Sequence, residues 1–401
     1  MSFFSPKKES EVALVIDIGS GSVGGALVLL SRVHAPTVLY TFRSEIPFQE
    51  EVSGLRLLSL MLQALTEVVT AVSHEGFTQA GFGTSRPTIR ETTISLSAPF
   101  VVSKTSFLRL HNEKPTKITA AVFESLLEHA HKETLASGET ILEGSTQIEQ
   151  KLIQSTLNGY ETSAPYGKTA QAAEFVVFEG YSLLRVTEKI HDILLTHVHS
   201  KHVSFHSFEL ITFIALRELY SYEKDFLLAD ISGEQTEFSM IRKGVPVESL
   251  TFPFGRNHIA RILMKDTSIP HAGASSFFKL YANDTGTGKM FDHVRKIFTQ
   301  AMEKWRSESI QALAHFSTNF FLPKIIFVTA DEEVLPIFQQ VIELGDFSSL
   351  TIPSGGFKVI PLNSEHIAKL VRWNSMQKHD PFIALIASFA NRLLVSKNSN
   401  Q

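Results

Sequence analysis

The chain has 401 residues, 43% of them hydrophobic and 19% charged, and its net charge is −4. This length is too great for one ordinary core and predicts roughly two to four packed subdomains. The small net charge and the lack of long basic blocks argue against a role in nucleic-acid binding. Because the chain has no cysteine, disulfides, cysteine-ligated zinc and thiol nucleophiles are excluded.

No apolar run approaches the roughly 18 residues that a membrane span needs. The N-terminal residues also lack the pattern of a signal peptide, since Asp17 interrupts the first apolar run. We therefore expect a soluble, cytoplasmic chain without a direct membrane span, which partners hold near a membrane.

The first element in the chain is a hairpin with a loop of small residues. Residues 12–18 are rich in β-branched side chains, and a second apolar run follows at 25–30. Two such runs joined by glycine and serine predict a β-hairpin. The apolar spacing over residues 55–71 then predicts an amphipathic helix.

The next segment has the pattern of a small domain of its own. Residues 87–102 predict a strand, 115–130 a helix, and 147–153 and 173–178 two further strands. A strand–helix–strand–strand order over about 90 residues is typical of an α+β unit.

The opening hairpin pattern then returns. After predicted helices at 183–195 and 208–220, an apolar strand ends at Asp230 and is followed by Ser232-Gly233 and a second strand at 238–241. An internal duplication of this kind indicates two related halves.

The remaining elements are predicted in a similar way. Residues 258–319 are mainly helical, 324–329 and 357–361 are strands, and 331–344 and 381–394 are helices. The histidine-rich stretch at 197–206 is interpreted as a surface helix end or a strand, and not as a metal site.

The two hairpin loops carry the chemistry. Each combines an aspartate at a strand end with glycine and hydroxyl residues, so that backbone N–H groups and hydroxyls are available to phosphate oxygens. The aspartates, Asp17 and Asp230, are suited to hold a hydrated Mg²⁺ that offsets the phosphate charge. Two such loops facing each other would clamp a polyphosphate.

The loops resemble the phosphate-1 and phosphate-2 motifs of the actin/Hsp70/sugar-kinase superfamily. Residues 252–259, 275–280 and 325–329 are similar to its later conserved stretches. The α+β segment at 86–180 resembles the insert of the bacterial FtsA and PilM proteins, which sugar kinases and Hsp70-type chaperones lack. Because only a few polar residues follow the last helix, the PilM-like branch is favoured over the FtsA-like branch, which carries a C-terminal membrane helix.

The resemblance implies an α/β, actin-like (ribonuclease H-like) two-domain fold with duplicated β-hairpin sheets and a small inserted α+β subdomain. The first domain would comprise 10–85 and 181–222, and the insert 86–180. The second domain would comprise 223–260 and 323–396, with a helical or mixed small subdomain at 261–322.

The resemblance also implies a nucleotide site that binds ATP with Mg²⁺. The implied contacts are Asp17, Gly19, Ser20, Gly21, Ser22, Asp230, Ser232, Gly233, Thr236, Thr329 and Ala330, with Mg²⁺ held through the nucleotide by Asp17 and Asp230. Glu209 is a candidate for positioning a water, as the crossover acid does in this superfamily. Its alternative interpretation is a solvated carboxylate at a helix start.

Some residues depart from the family pattern. Asp331 and Glu332 stand where the adenosine motif has glycines, Ser232 replaces the first glycine of phosphate-2, and Arg256 replaces a later one. The leading hypothesis is a cytoplasmic scaffold that recruits or organises inner-membrane machinery, in pilus assembly or cell division. It would be at most a weak ATPase, would bind protein partners, and would be able to form oligomers or filaments. The alternatives are a nucleotide-free interaction module and a small-molecule kinase.

Overall fold

The computed structural model describes residues 10–83, 87–136, 144–198, 200, 202–283, 285–317, 321–347, 350–351, 356–375 and 377–399. Two large β-sheets, a smaller inserted sheet and the helices around them make up this part of the chain.

The first large sheet has six strands in the order β15-β3-β2-β1-β4-β9. Strands β1 to β3 form an antiparallel meander, while β4 and β9 continue the sheet in parallel with β1. Their bounds are β1 Ser10–Ile18, β2 Ser22–Ser31, β3 Thr37–Glu45, β4 Glu91–Leu96, β9 His202–Ser207 and β15 Arg372–Trp373.

The second large sheet repeats this arrangement with five strands in the order β12-β11-β10-β13-β14. Strands β10 to β12 are the antiparallel meander, and β13 and β14 run parallel to β10. Their bounds are β10 Phe226–Ile231, β11 Thr236–Arg242, β12 Val245–Phe252, β13 Ile325–Ala330 and β14 Lys358–Pro361. The predicted duplication of the hairpin sheets is therefore confirmed.

Successive side chains of β1 point to opposite faces of the first sheet, and both faces are covered. Leu14 and Ile16 point into a core shared with the helices α1 Gly54–Ala71 and α4 Leu184–His197. Ala13 and Val15 point into a different core on the other face, as expected where successive side chains of a strand alternate. A short π-helical turn, Val72–Gly76, and the turn α2 Phe77–Gln79 extend α1.

Two helices, α5 Phe208–Leu219 and α10 Pro381–Ser399, lie between the large sheets. Their apolar side chains share one buried core with Val15 of β1, Leu228 of β10 and Phe327 of β13. Because that core joins both halves, the relative position of the two sheets is supported by apolar packing.

The predicted domain division differs from the structure at α10. This helix packs on β1, β2 and α5, whereas the sequence assigned it with 323–396 to the second domain. Amphipathic spacing identifies a buried face but not the sheet against which it packs.

The insert has a four-stranded sheet in the order β5-β8-β6-β7, with α3 packed on β5. Its elements are β5 Val102–Lys117, α3 Ala120–Ala136, β6 Ser145–Leu157, β7 Tyr160–Glu161 and β8 Thr169–Leu183. The sequence placed β4 inside the insert at 86–180, but β4 pairs with β1 in the first sheet. The predicted boundary at residue 86 itself lies outside the described residues.

The helices α6 Arg256–Thr267, α7 His271–Ala282, α8 Lys289–Phe316 and α9 Leu335–Leu344 surround the second sheet. In the described part of the chain, one helical stretch, Gly54–Gln79, is long and apolar enough to cross a membrane by length and composition alone. The expectation that no segment reaches this threshold is therefore wrong. In the fold, Met61, Leu65 and Val68 of this stretch are buried in the core against the first sheet.

Candidate functional site

The two hairpin loops meet each other at the carboxyl ends of β1 and β10. The hydroxyls of Ser20 and Ser232 lie 2.6 Å apart, and the backbone N–H of Glu234 donates to Ser20 Oγ at 2.9 Å. A Cβ added to Gly233 would lie 2.5 Å from the Cα of Gly21. Glycine is therefore required at this crossing, because the two backbones are already in contact.

The loops leave a cavity of about 20 Å³ between them. A cavity needs roughly 10–15 Å³ to hold one water, so this space is large enough for about one water molecule. Its lining residues are Asp17, Gly19, Gly21, Ser22, Arg43, Ser97, Asp230, Ile231, Ser232, Gly233, Asp331 and Phe382.

Arg43 of β3 fills the first-sheet side of this site. Its Nη2 donates to Asp17 at 2.9 Å, its Nη1 donates to the Ser22 hydroxyl at 2.9 Å, and its Nε donates to Asp380 at 2.8 Å. Asp380 directly precedes α10 and accepts the backbone N–H of Ile383 at 3.2 Å. One guanidinium thus joins the strand-end aspartate to the start of the interdomain helix.

A glycine makes this contact possible. In the sheet register Gly24 lies between Asp17 on one side and Arg43 on the other. A Cβ at position 24 would lie 2.6 Å from Arg43 Nη2. The missing side chain therefore gives the arginine a path across β2, a role that glycine has where groups approach closely in a strand.

Burial sets the titration of both strand-end aspartates. It raises the pKa of Asp17 to about 6, an effect that Arg43 opposes and Asp380 reinforces. It raises the pKa of Asp230 to about 7, opposed by the hydroxyl of Thr329, which donates to Asp230 Oδ1 at 2.7 Å.

A second arginine lies on the second-sheet side of the cleft, which is the space between the two hairpin loops. Arg256, at the first position of α6, has its Nη1 2.8 Å from Asp331 Oδ2. The ion pair with Asp331 raises the pKa of the Arg256 guanidinium. This pair occupies two of the positions at which the sequence departs from the glycines of the family pattern.

Three backbone N–H groups of the two loops already donate hydrogen bonds within the chain. The N–H of Gly19 donates to the Ser22 carbonyl at 3.1 Å, and that of Ser232 donates to the Gln235 carbonyl at 2.9 Å. Together with the bond from Glu234 to Ser20, these contacts use N–H groups that a phosphate would need.

The mouth of the cleft is also closed by contacts between the halves. The Nε of Arg261 in α6 donates to the carbonyl of Gln49 at 2.9 Å, and its Nη2 contacts both carboxylate oxygens of Glu234. The rings of Phe48 and His271 stack with their centroids 4.2 Å apart. Residues 48–49, which follow β3, therefore contact the half of the chain that contains the second sheet.

The structure brings most of the predicted site residues together, but not all of them. Thr236 donates to the Phe254 carbonyl at 2.6 Å and accepts from Trp305 at 3.0 Å, so it belongs to the second half's core. Thr329 bonds to Asp230, and Ala330 is a buried residue beside Ile231. None of these three lines the cavity, and their nucleotide contacts stay a prediction.

Glu209 lies in the first turn of α5, outside the cavity lining. Only 4% of it is exposed, so its interpretation as a solvated carboxylate is wrong. Burial raises its pKa to about 7, opposed by the hydroxyls of Ser103, Ser239 and Ser249. These serines come from the insert and the second sheet, so Glu209 lies where three parts of the fold meet.

The fold family implies ATP with Mg²⁺ at this position, and the residues present do not fit that group. The loops are in backbone contact, the cavity measures about 20 Å³, and Arg43 bonds to Oδ2 of Asp17. Each of these features conflicts with a bound triphosphate.

Sequence reasoning missed Arg43, Asp380 and the Phe48–His271 contact. Arg43 and Asp380 are 337 positions apart, and nothing local connects them. The available signal was Gly24, a glycine inside an apolar strand directly after the phosphate-1 motif, which indicates that another group approaches closely there.

The comparisons with known proteins support the fold. No protein-family model matches the chain, and no curated protein matches it significantly. Among solved structures, a chain of the "PilM-PilN type IV pilus biogenesis complex" matches with a TM-score of 0.63 at 13% identity, over 96% of this chain and 99% of that chain.

Two further matches have lower scores. The ethanolamine utilization protein EutJ from Carboxydothermus hydrogenoformans has a TM-score of 0.42 at 11% identity, over 95% of this chain and 89% of that chain. A protein from Bacteroides thetaiotaomicron, described as having an actin-like ATPase fold and unknown function, has a TM-score of 0.41 at 8% identity, over 96% and 98%. The match to the PilM-PilN structure shows that the chain shares that actin-like fold over almost its whole length.

Proposed function

We propose that the chain is a protein scaffold that organises a pilus-assembly machine at the cytoplasmic face of the inner membrane. The observation that carries the proposal is the match to the PilM-PilN structure over 96% of this chain and 99% of that chain. Because so little of either chain is left out, the insert falls within the match.

The partner would be a membrane protein whose cytoplasmic segment binds where the insert meets the two halves. A cavity of about 300 Å³ lies there. It is lined by Ile153, Gln154, Glu161, Arg217, Lys224, Asp225, Lys243, Gly244 and Val245. Its three exposed cations outnumber its two carboxylates, which favours a segment with acidic side chains.

Affinity capture from detergent-solubilised membranes of a piliated bacterium tests the role. We expect the tagged full-length chain to retain an inner-membrane pilus-assembly protein. Retention of division-ring proteins in its place would support the alternative role in cell division and contradict the pilus proposal.

A charge-reversed variant tests the docking surface. Arg217→Glu with Lys243→Glu should reduce the captured partner at least tenfold, because two of the three cations around the cavity become acids. The matched control is Lys369→Glu, an exposed lysine that does not line this cavity. Equal loss in both variants would show a nonspecific charge effect and remove the cavity from the proposal.

The small-molecule kinase alternative has no supporting observation. A kinase of this superfamily needs a nucleotide and a substrate in the cleft, and the cavity found there measures about 20 Å³. Phosphate transfer from ATP to a small metabolite by the purified chain would reinstate that alternative.

A further inference from the structure

We propose that the cleft between the two halves is held shut by the chain's own side chains and does not take a nucleoside triphosphate. This inference is independent of the proposed function, since the cavity at the insert and the cavity between the loops have no lining residue in common. It rests on four features of the described residues, which concern the cation, the phosphates, the base and the mouth of the cleft.

The position of the cation is taken by Arg43. Its guanidinium lies 2.9 Å from Asp17 and 2.8 Å from Asp380, and both carboxyls are largely buried. A dication at Oδ2 of Asp17 would have to displace Arg43, which would leave Asp380 without its guanidinium partner. Breaking a buried pair in this way is strongly unfavourable.

The position of the phosphates is taken by the opposite loop. Gly21 and Gly233 approach so closely that neither has room for a Cβ at normal distance. The hydroxyls of Ser20 and Ser232 bond to each other across the cleft, where they would otherwise be available to phosphate oxygens. Each loop therefore fills the position next to the other loop at which a phosphate would bind.

The position of the base is closed by an ion pair. Arg256 bonds to Asp331, and its backbone N–H donates to the Ser232 carbonyl at 3.0 Å. The neighbouring Gly255 lies against the same carbonyl, since a Cβ there would be 2.4 Å from it. The start of α6 is therefore packed on the second loop itself.

The mouth adds two contacts from a different part of the chain. Arg261 bonds to the Gln49 carbonyl, and the ring of His271 stacks on Phe48. Opening the cleft would break these contacts together with the bond between the serines. The two halves therefore behave as one body. Nucleotide exchange does not control when the chain binds a partner.

Disulfide trapping tests this inference in the full-length chain. The chain has no native cysteine, so Ser20→Cys with Ser232→Cys introduces a single pair at the place where the two hydroxyls lie 2.6 Å apart. In nucleotide-free protein we expect rapid intramolecular disulfide formation under mild oxidation, at a rate that millimolar Mg-ATP leaves unchanged. Each single cysteine variant is the control, since it is able to form intermolecular disulfides only.

Failure of the pair to cross-link without nucleotide would contradict the closed cleft, and slowing of the reaction severalfold by Mg-ATP would show that nucleotide enters. A thermal unfolding series on the unmodified protein covers the case in which the double variant does not fold. Mg-ATP, Mg-ADP and Mg²⁺ alone should each leave Tm unchanged. A rise in Tm with nucleotide concentration, as binding to the native state produces, would overturn the inference.

Discussion

The strands of the two large sheets pair in the same register, but the side chains beside the strand-end aspartate differ in charge between the two sheets. Across the first sheet the row at the strand end is Asp17, Gly24 and Arg43. Across the second sheet the equivalent row is Asp230, Glu237 and Thr251. In the first row an arginine crosses a glycine to reach the aspartate. In the second row a carboxyl stands at the position of the glycine.

The pKa values of the carboxyls in the second row show the consequence of this difference. Burial raises the pKa of Glu237 well above its usual value, and the neighbouring Glu209 and Asp230 carboxyls reinforce that shift. Thr329 supplies Asp230 with a hydrogen bond and no charge. A duplicated fold therefore preserves the position of an aspartate without preserving its environment, which the side chains of the surrounding strands determine.

The largest expected effect comes from breaking the first row. Arg43→Met leaves Asp17 and Asp380 without their shared cation, and we expect a loss of about 3 kcal/mol in the free energy of unfolding, measured by urea denaturation at pH 7.5. The control is Arg90→Met at an exposed site, which should change stability by less than about 0.5 kcal/mol. Equal stability of the two variants would contradict a structural role for Arg43.

The second row is tested by Asp230→Asn over a range of pH. The folded pKa of Asp230 is raised from 3.8 to about 7, so its contribution to stability is present below pH 4 and is lost as the pH rises towards 7. Between pH 5 and 8 we expect the wild-type protein to lose roughly 2 kcal/mol more than the variant. The measurement is urea denaturation at several pH values.

Asp17→Asn sharpens the contrast, because Arg43 opposes the effect of burial and the folded pKa of Asp17 rises only to about 6. The sign is the same as for Asp230, so at pH 8 this variant should gain less stability over the wild-type protein than Asp230→Asn does. If Asp17→Asn and Asp230→Asn have the same effect at pH 8, the two rows are electrostatically equivalent and the comparison is wrong.

A smaller effect is expected from obstructing the path of Arg43. Gly24→Ala places a Cβ 2.6 Å from Arg43 Nη2 and should cost about 1–2 kcal/mol, because the flexible side chain is able to shift away. Gly19→Ala is the matched control, since the nearest atom to its Cβ would be 3.7 Å away. A Tm for Gly24→Ala that equals that of Gly19→Ala would show that the arginine does not need the glycine.

The smallest effect concerns the contact between the halves at the mouth of the cleft. Phe48→Ala, His271→Ala and the double variant form a cycle from which the energy of the stacked pair is obtained. We expect a coupling of about 1 kcal/mol, typical of ring pairs. Additive losses of stability would show that the stacking does not hold the two halves together.

Much of the fold was predictable because it depends on local patterns. The two hairpins, the helix at 55–71, and the helix and last two predicted strands of the insert follow from apolar spacing and turn residues, and the structure confirms them. The first strand of the insert, β5, was not predicted. The strand β4 was assigned to the wrong unit because its pattern contains no information about its pairing partner. The same limit applies to α10.

The candidate site was less predictable because its decisive contacts are not local. Asp17 and Asp230 were identified from their loops, but the position of Arg43 depends on strand pairing across β2 and on a helix start more than 300 residues later. The departures at Arg256 and Asp331 were visible in the sequence. That these two side chains bond to each other required the fold.

Isothermal titration calorimetry of the purified full-length chain with Mg-ATP tests the central claim, which is that the chain's own residues close the cleft. We predict no saturable heat at concentrations up to the millimolar range, for wild-type protein at pH 7.5. A saturable isotherm with one site per chain, abolished by Asp17→Ala or Asp230→Ala, would contradict the claim and restore the nucleotide site that the family pattern implies.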